Sequence, residues 1–300
     1  MNKRRLLIIG SNGMLGQRLV NYFQSKSDFI INCASAEESS FIPEVDYTKI
    51  DIANKKDVQL LIKKFYPDFI LNAAAYTNVD GCETNRELSW KINVTGVENL
   101  AHYAITSDAH IIHVSTDYVF DGKNGPYSEV DNVNPISYYG RTKLAAENVL
   151  KASKINFTIL RTNVLYGPAK YGRPDFVKWV VNSLLEKKQI RIVTDQINNP
   201  TYLDDLVQGF SKVIEFKKTG LYNIGGDEFL SRYDFTKRIA EYFNLDKKLI
   251  SPIETKELNQ PAPRPLKSGL INLKATTELG YLPHKIEETF ELMQKELSLV

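Results

Sequence analysis

The sequence contains few cysteines, histidines and tryptophans, and neither sign of charge dominates it. Its 300 residues include 2 cysteines, 4 histidines and 2 tryptophans. Two cysteines are too few for a disulfide framework, and the histidines share no ligand spacing, so we predict no metal site. Lysine and arginine together number 38 against 36 acidic residues, for a net charge of +2. This balance argues against general binding of nucleic acid or of a membrane surface.

Long apolar runs are also missing. No segment approaches the roughly 20 apolar residues that a membrane-spanning helix needs. The apolar run at residues 6–9, which follows three basic residues, is too short for a signal peptide. We therefore expect a cytoplasmic protein without a membrane partner. The hydrophobic share of 43% and the charged share of 25% are those of an ordinary globular protein.

Short apolar runs alternate with helical patterns along the first half of the chain. The predicted strands cover residues 6–9, 29–34, 49–52, 69–73, 109–115 and 157–161. Helices are predicted between them, among others over 14–23, much of 83–106 and 137–152. Continuous apolar strands that alternate with helices indicate a parallel sheet covered on both faces. The predicted fold is therefore α/β, a Rossmann-type doubly wound parallel sheet.

The composition of the sequence changes after residue 162. Glycine and proline become frequent there, and the predicted strands are short (190–193, 221–224). We predict a nucleotide-binding domain over residues 1–162, to which some later segments return. Residues 163–300 would form mainly a smaller α/β lobe that binds the substrate. Ligands of open α/β sheets lie at the carboxyl ends of the strands, so the two parts would meet there.

A glycine-rich turn joins the first predicted strand to the first predicted helix. Glycine lets the backbone approach a pyrophosphate, and the helix N-terminus supplies free N–H groups and a positive dipole end. The spacing is G-x-x-G-x-x-G, which departs from the commoner G-x-G-x-x-G. We predict that this turn binds NADP(H) or NAD(H), through Gly10, Asn12, Gly13, Met14, Leu15 and Gly16.

The end of the second predicted strand should select between these two cofactors. An acidic side chain there binds the adenosine ribose and repels a 2′-phosphate. In this chain Glu37 and Glu38 come slightly after the tip, and Ser35 could contact either a hydroxyl or a phosphate. The choice is undecided at this stage, and NADPH or dual use is the working expectation.

The ends of the third and fourth predicted strands supply further expected cofactor contacts. Asp51 and Ile52 would face the adenine, although helix capping explains Asp51 equally well. Small side chains after the fourth strand would let the backbone lie against the cofactor, and packing on the sheet would favour them too. These residues are Ala73, Ala74 and Ala75, followed by Tyr76.

A tyrosine and a lysine lie at helical spacing in the predicted helix 137–152. Tyr139 and Lys143 are four residues apart, which places them on one face. A free tyrosine has a pKa of about 10, and a nearby ammonium group should lower it. Thr116, after the fifth strand, would hydrogen-bond the reacting oxygen, with Ser115 as the competing choice. These groups are suited to moving a hydride to or from a sugar-like carbon.

These motifs resemble a known family. Residues 10–16, 72–77, 115–122, 126–129 and 139–143 are similar to the extended short-chain dehydrogenase/reductases, and most of all to the dTDP-4-dehydrorhamnose reductase family. The resemblance implies reduction of the 4-keto group of a nucleotide-linked 6-deoxysugar by NAD(P)H, in dTDP-rhamnose and cell-surface polysaccharide biosynthesis. It also implies catalytic roles for Thr116, Tyr139 and Lys143, with Ser115 and Asn93 near the cofactor.

The resemblance implies substrate contacts as well, and one of them departs from the family pattern. Asp117 and Tyr118 would meet the sugar, Gln196 its hydroxyls, and Arg264 a diphosphate. Turn formation for Gln196 and a solvated surface position for Arg264 are the competing interpretations. Asn163 stands in a segment where those reductases usually carry a tryptophan, which leaves the identity of the sugar open.

Three alternatives remain after the sequence is read. One is another nucleotide-sugar reductase of the same fold, and the second is an epimerase. A dehydratase is disfavoured because Asp117 is followed by Tyr118 and not by a second carboxylate. The third is a non-catalytic NAD(P)-binding regulatory subunit that resembles the methionine adenosyltransferase beta subunit, which need not keep all three catalytic side chains. The expected partner is a nucleotide-sugar substrate, with no nucleic acid and no membrane, and a homodimer is compatible with the chain.

Overall fold

The computed structural model describes residues 3–297 and is built on a central parallel sheet. The strands are β1 (Arg4–Ile9), β2 (Phe29–Ser35), β3 (Tyr47–Lys49), β4 (Phe69–Asn72), β5 (His110–Thr116), β6 (Phe157–Thr162), β7 (Leu165–Tyr166), β8 (Ile190–Val193), β9 (Ile197–Asn198), β10 (Thr201–Tyr202), β11 (Gly220–Asn223), β12 (Leu230–Ser231) and β13 (Ile250–Ile253). Seven of them form the sheet in the order β11-β6-β5-β4-β1-β2-β3, and each neighbouring pair is parallel. The order reverses between β1 and β4, which is where ligands of such sheets lie.

Helices cover both faces of the sheet. They are α1 (Met14–Gln24), α2 (Lys55–Phe65), α3 (Val79–Thr84), α4 (Arg86–Trp90), α5 (Gly96–Ala104), α6 (Tyr138–Ala152), α7 (Phe176–Leu185), α8 (Leu203–Phe216), α9 (Arg232–Tyr242), α10 (Leu273–Leu279) and α11 (Ile286–Leu297). One apolar cluster packs α1, α8 and α10 against one face, and a second packs α2, α5 and α6 against the other. Burial on both faces explains why the strands are continuously apolar. The predicted α/β fold class is confirmed.

The remaining segments form a second, smaller core beside the sheet. Its buried side chains come mainly from α7, α9 and α11, among them Val180, Phe235 and Phe290. Three two-stranded pairs complete this part: β7 with β10, β9 with β12, and β8 with β13. Within residues 3–297, no helix is long and apolar enough to cross a membrane.

Three predicted elements differ from the structure. The third strand is Tyr47–Lys49, earlier than the predicted 49–52. Ile50 and Ile52, whose apolar side chains suggested a strand, lie after it and are buried in the core. The long helix predicted over 83–106 is interrupted, and residues Lys91–Thr95 form a π-helix. The strand predicted at 221–224 lies in the central sheet as β11, since it pairs with β6 and not within the second lobe.

Candidate active site

The glycine turn between β1 and α1 is packed too closely for side chains. Gly10 has φ +79°, and a Cβ on it would lie 2.7 Å from the backbone nitrogen of Ala74. A Cβ on Gly16 would lie 2.0 Å from the carbonyl oxygen of Gly10. Gly13 precedes α1 as its N-cap and offers no side-chain acceptor. The first amides of α1 are therefore available to an anion.

Two hollows flank this turn and share some of its residues. The outer hollow has a volume of about 250 Å³ and lies over the ends of β2 and β3. The inner hollow has a volume of about 430 Å³ and lies over the ends of β4, β5 and β6. Both are lined by Gly13 and by Ala73, Ala74 and Ala75. The buried Ser11 hydroxyl, next to Gly10, has no hydrogen-bond partner among the described residues. A dinucleotide fits this arrangement, with its pyrophosphate at the glycine turn and one nucleoside in each hollow.

Most of the predicted cofactor contacts line these hollows. The outer one is lined by Gly10, Ser35, Asp51 and Ile52, and the inner one by Met14, Leu15, Gly16, Ser115, Tyr139 and Lys143. Of the described residues predicted to contact the cofactor, three line neither hollow: Asn12, Tyr76 and Asn93. Asn12 and Asn93 instead bind the backbone of neighbouring loops.

Asn93 joins the end of β4 to α6. Its side-chain oxygen accepts from the backbone N–H of Tyr76 at 2.7 Å, and its amide nitrogen donates to the hydroxyl of Thr142 at 2.9 Å. Asn93 thus links the loop after β4 to α6 at Thr142, one residue before Lys143. The π-helix that interrupts the predicted long helix carries Asn93, and such local irregularities are frequent at functional sites.

Thr116 ends β5 at the wall of the inner hollow. Its hydroxyl donates to Asp117 Oδ1 at 3.0 Å and accepts from the backbone N–H of Tyr118 at 3.2 Å. The other carboxylate oxygen of Asp117 accepts from Ser268 at 2.5 Å. Burial raises the pKa of Asp117 to about 6, and the hydrogen bonds from Ser268 and Thr116 oppose this rise.

Tyr139 lies in the first turn of α6, which Ser137 caps by accepting from the Gly140 N–H at 3.1 Å. Desolvation, followed by the charge of Asp117 and by Tyr118, raises the pKa of Tyr139 well above 10, and a hydrogen bond with Thr116 opposes the rise. Burial is the largest cause of this rise, and Lys143, which was expected to lower the pKa of Tyr139, is not among its leading causes. The phenol keeps its proton at neutral pH.

Lys143 lies one turn further along α6 and is buried. Its Nζ donates to the Val114 carbonyl at 2.7 Å and lies 3.2 Å from Nε2 of His113. Burial lowers the pKa of Lys143 to about 8, while Glu147 acts in the opposite direction. The lysine therefore titrates close to neutral pH.

His113 was not singled out by the sequence analysis, and it proves to be the neighbour of Lys143. Asn72 Oδ1 accepts from the backbone N–H of Ala74 at 3.2 Å, so its amide nitrogen faces His113 Nδ1 at 3.0 Å. A neutral imidazole that accepts at Nδ1 carries its proton on Nε2, which points at Lys143. Burial lowers the pKa of His113 well below 6.5. The feature of the sequence that could have pointed to His113 is a polar residue inside an otherwise apolar strand.

Ser115, the alternative to Thr116, is buried, and its side chain binds a core residue. Its hydroxyl donates to Glu147 Oε1 at 2.6 Å. The same carboxylate receives Arg161 Nε at 2.8 Å and Nη2 at 2.7 Å, and both partners are buried. Thr116, whose hydroxyl contacts Asp117 at the wall of the inner hollow, is the hydroxyl better placed for a ligand.

Asp117, Tyr118 and Asn163 line the inner hollow, whereas Gln196 and Arg264 do not. The Asn163 amide donates to Asn199 at 2.9 Å, which holds it against the second lobe. Gln196 donates to Thr255 at 3.0 Å. Arg264 forms a two-point ion pair with Asp80 at 2.6 and 2.8 Å.

Arg232 is a cation in the inner hollow that the sequence analysis missed. It begins α9 directly after the N-cap Ser231, so the sequence pattern describes only an ordinary helix start. Its positive charge acts to lower the pKa values of the buried Tyr118 and Asp117. Arg232 therefore supplies a positive group on the side of the hollow that the second lobe forms.

The fold, the glycine turn and the Tyr139–Lys143 pair define an extended short-chain dehydrogenase/reductase. The family model described as "RmlD substrate binding domain" matches residues 4–299, and the chain belongs to that family. A dTDP-4-dehydrorhamnose reductase of Aggregatibacter actinomycetemcomitans is 35% identical over 93% of this chain and 94% of its own.

Two further proteins, a reductase and a subunit of a methionine adenosyltransferase, are also similar to most of this chain. The dTDP-4-dehydrorhamnose reductase of Bacillus anthracis, solved in complex with NADP, is 32% identical with a TM-score of 0.87, covering 98% of this chain and 99% of its own. The methionine adenosyltransferase 2 subunit beta of Xenopus tropicalis is 31% identical over 87% of this chain and 78% of its own. The predicted family is confirmed.

Proposed function

We propose that the chain reduces the 4-keto group of a nucleotide-linked 6-deoxysugar with NAD(P)H. The observation that carries this proposal is the lining of the inner hollow. It brings the glycine turn, Thr116, Tyr139 and Lys143 to one cavity of about 430 Å³ at the switch point of the sheet. The names of the relatives from Aggregatibacter and Bacillus support the sugar class.

Tyr139 supplies the proton in this proposal. Reduced nicotinamide, when bound, supplies a hydride to the ketone carbon. The carbonyl oxygen then needs a proton, and the phenol of Tyr139, which lines the inner hollow, supplies it. A general acid within hydrogen-bonding reach of that oxygen contributes about 10²–10⁴-fold to the rate.

Thr116 and Lys143 orient the reacting groups. Rotation of the Thr116 hydroxyl away from Asp117 would direct its proton to the same carbonyl oxygen. The Lys143 amine, held by the Val114 carbonyl, would bind the hydroxyls of the nicotinamide ribose. Asp117, Tyr118 and Asn163 would contact the sugar, with Arg232 as an added cation on that side.

The test is the oxidation of NADH and NADPH with a panel of nucleotide-linked 4-keto-6-deoxysugars that includes dTDP-4-dehydrorhamnose. We expect turnover by the wild-type chain and a loss of about 10²–10⁴-fold in kcat for Tyr139→Phe. Cofactor binding should be retained in this variant. Tyr138→Phe is the matched control, because that ring lies beside Arg86, and it should keep its turnover. Equal turnover by the two variants would contradict the assignment.

A cofactor-binding regulatory subunit is the second candidate, favoured by the relative from Xenopus tropicalis. A chain with that function would bind NAD(P)H without oxidising it in the presence of any member of the panel. Retention of Thr116, Tyr139 and Lys143 in a common cavity supports the reductase.

A further inference from the structure

A buried row of polar side chains leads from the end of β4 through β5 to Lys143 on α6. Asn72 is the last residue of β4, and His113 lies opposite it on the neighbouring strand β5. The Asn72 amide nitrogen lies 3.0 Å from His113 Nδ1, and His113 Nε2 lies 3.2 Å from Lys143 Nζ. None of the three residues is more than 2% exposed. Such buried polar groups depend on one another for their hydrogen bonds.

The backbone sets the orientation of the first side chain in this row. Asn72 Oδ1 accepts from the N–H of Ala74 at 3.2 Å, so the amide nitrogen, which can only donate, faces the ring. His113 therefore accepts at Nδ1 and, as a neutral ring, carries its proton on Nε2. Burial and the charge of Lys143 lower the pKa of His113 well below 6.5, which keeps the ring neutral.

The Nε2–H group of His113 suits only one form of Lys143. A neutral amine has a lone pair that accepts this hydrogen bond, whereas an ammonium group is a donor without an acceptor. The Nζ atom donates to the Val114 carbonyl at 2.7 Å, and a neutral amine can make this bond while it accepts from the ring. The ammonium form would bring two donors face to face.

Other ionisable groups face Lys143 from its own helix, from β6 and from the inner hollow. Burial is the main cause that lowers the pKa of Lys143, and Glu147, one turn further along α6, opposes it. The Glu147 carboxylate is already paired with Arg161 of β6 at 2.7 and 2.8 Å, which weakens its hold on the lysine proton. The ionisable side chains that line the inner hollow with Lys143 are Asp117, Tyr118, Tyr139 and Arg232.

We propose that Asn72 and His113 are positioning residues that hold Lys143 through a ring N–H group and favour its neutral form. Asn72 acts by fixing the ring proton on Nε2, and His113 acts on the lysine amine through that proton. The pair thereby sets the upper edge of the pH range in which Lys143 binds the nicotinamide ribose as a cation. This inference rests on the proposed function, which assigns that amine to the cofactor.

Asn72→Asp reverses these hydrogen bonds while it keeps the shape of the side chain. One carboxylate oxygen can accept from the Ala74 N–H and the other from His113, which moves the ring proton to Nδ1. The Nε2 atom then becomes an acceptor for the ammonium group of Lys143. We expect the fall of kcat/KM on the alkaline side to move up by about one pH unit in this variant.

His110→Gln is the matched control. His110 is a second buried histidine of β5, and it lies three positions before His113, so its side chain points to the opposite face of the sheet. Its Nε2 contacts the hydroxyl of Thr158 at 2.8 Å. This variant should leave the alkaline fall of kcat/KM where it is in the wild-type chain.

A double variant separates the hydrogen-bond route from the added negative charge. The carboxylate of Asn72→Asp also favours the ammonium form through space, with or without the ring. In a His113→Phe background the ring is absent, so the shift that Asn72→Asp causes should be clearly smaller than in the wild-type background. An equal shift in both backgrounds would overturn the proposal.

The position of the ring proton can be measured without any turnover. The chain has 4 histidines, so the ring signals of isotope-labelled histidine can be assigned with single variants, and the nitrogen chemical shifts show which nitrogen carries the proton. We expect the proton of His113 on Nε2 in the wild-type chain and on Nδ1 in Asn72→Asp. A proton on Nδ1 in the wild-type chain would overturn the inference.

The outcomes also separate this inference from the proposed function. An unchanged alkaline fall in Asn72→Asp would overturn the inference and leave the reductase intact. If the wild-type chain reduces no ketosugar, the proposed function fails, and the ring proton still decides the role of Asn72 and His113. The wild-type spectrum decides it even if the variants do not fold.

Discussion

Among the three proposed catalytic residues, Lys143 is the one whose pKa is shifted toward neutral pH. Its pKa is lowered to about 8 by burial, and its Nζ faces the proton-bearing Nε2 of His113. A ring N–H is a poor neighbour for an ammonium group and a good donor to a neutral amine. The charged form therefore predominates only below about pH 8.

This titration predicts the alkaline limb of the pH profile. If the ammonium group of Lys143 positions the cofactor ribose, kcat/KM should be constant at neutral pH and fall as the pH rises through about 8. The measurement is kcat/KM against pH with cofactor saturating and sugar varied. A profile that stays flat to about pH 10, the range of an ordinary lysine, would contradict the role given to Lys143.

The same shift has a consequence for stability with a definite sign. Between about 8 and the ordinary value of 10.5, the unfolded chain binds a proton at Lys143 and the folded chain does not. The free energy of unfolding therefore gains from Lys143 as the pH rises through that window. As the pH rises above about 8, the free energy of unfolding should therefore rise while kcat/KM falls.

At the residue level, the sequence predicts reactive groups better than their partners. The spacing of Tyr139 and Lys143 was sufficient to place both on one cavity wall. His113 and Arg232 were missed because their contacts come from other elements. Gln196 was expected in the site because of a motif, yet its side chain binds Thr255. Which atoms meet across the lobes depends on tertiary packing that spacing does not encode.

At the level of elements, a buried ion pair joins α6 to β6. Glu147 receives Arg161 at two points, and the Ser115 hydroxyl of β5 binds the same carboxylate. A buried charge that loses its partner costs about 3–5 kcal/mol. This pair fixes the helix that carries Tyr139 and Lys143 against the two strands that end at the inner hollow.

Arg161→Met should therefore lower the free energy of unfolding by about 3–5 kcal/mol. The double variant Glu147→Gln/Arg161→Met should recover part of that loss, because no buried charge remains. Lys151→Ala is the matched control, since Lys151 contacts the same carboxylate at 3.1 Å from an exposed position and should cost less than about 1 kcal/mol. Urea unfolding measures all three. A loss in Arg161→Met no larger than in Lys151→Ala would contradict this account.

The interruption of the predicted helix 83–106 shows what periodicity leaves out. The apolar spacing continues across residues Lys91–Thr95, yet the backbone there is a π-helix. Asn93 lies in this π-helix, and its side chain binds the backbone of Tyr76 on another element. Neither the π-helix nor this contact leaves a mark on the apolar pattern from which the helix was predicted.

For the whole molecule, two side-chain contacts join the parts of the chain before and after residue 162. Ser268 binds Asp117 of the inner hollow, and Arg264 binds Asp80 outside it. β11 re-enters the sheet beside β6, while most of the chain after residue 162 forms the second core. The change in composition predicted a second lobe, but not which of its strands returns to the sheet. The domain boundary at residue 162 and the homodimer stay predictions.

The measurement that tests the central claim most directly follows the hydride itself. The chain is incubated with dTDP-4-dehydrorhamnose and reduced cofactor that carries deuterium at the transferable position of nicotinamide C4, and the sugar product is examined by mass spectrometry and NMR. The account predicts deuterium at C4 of the reduced sugar, in proportion to cofactor oxidised. A sugar that is unchanged, or cofactor oxidation without deuterium at C4, would contradict it.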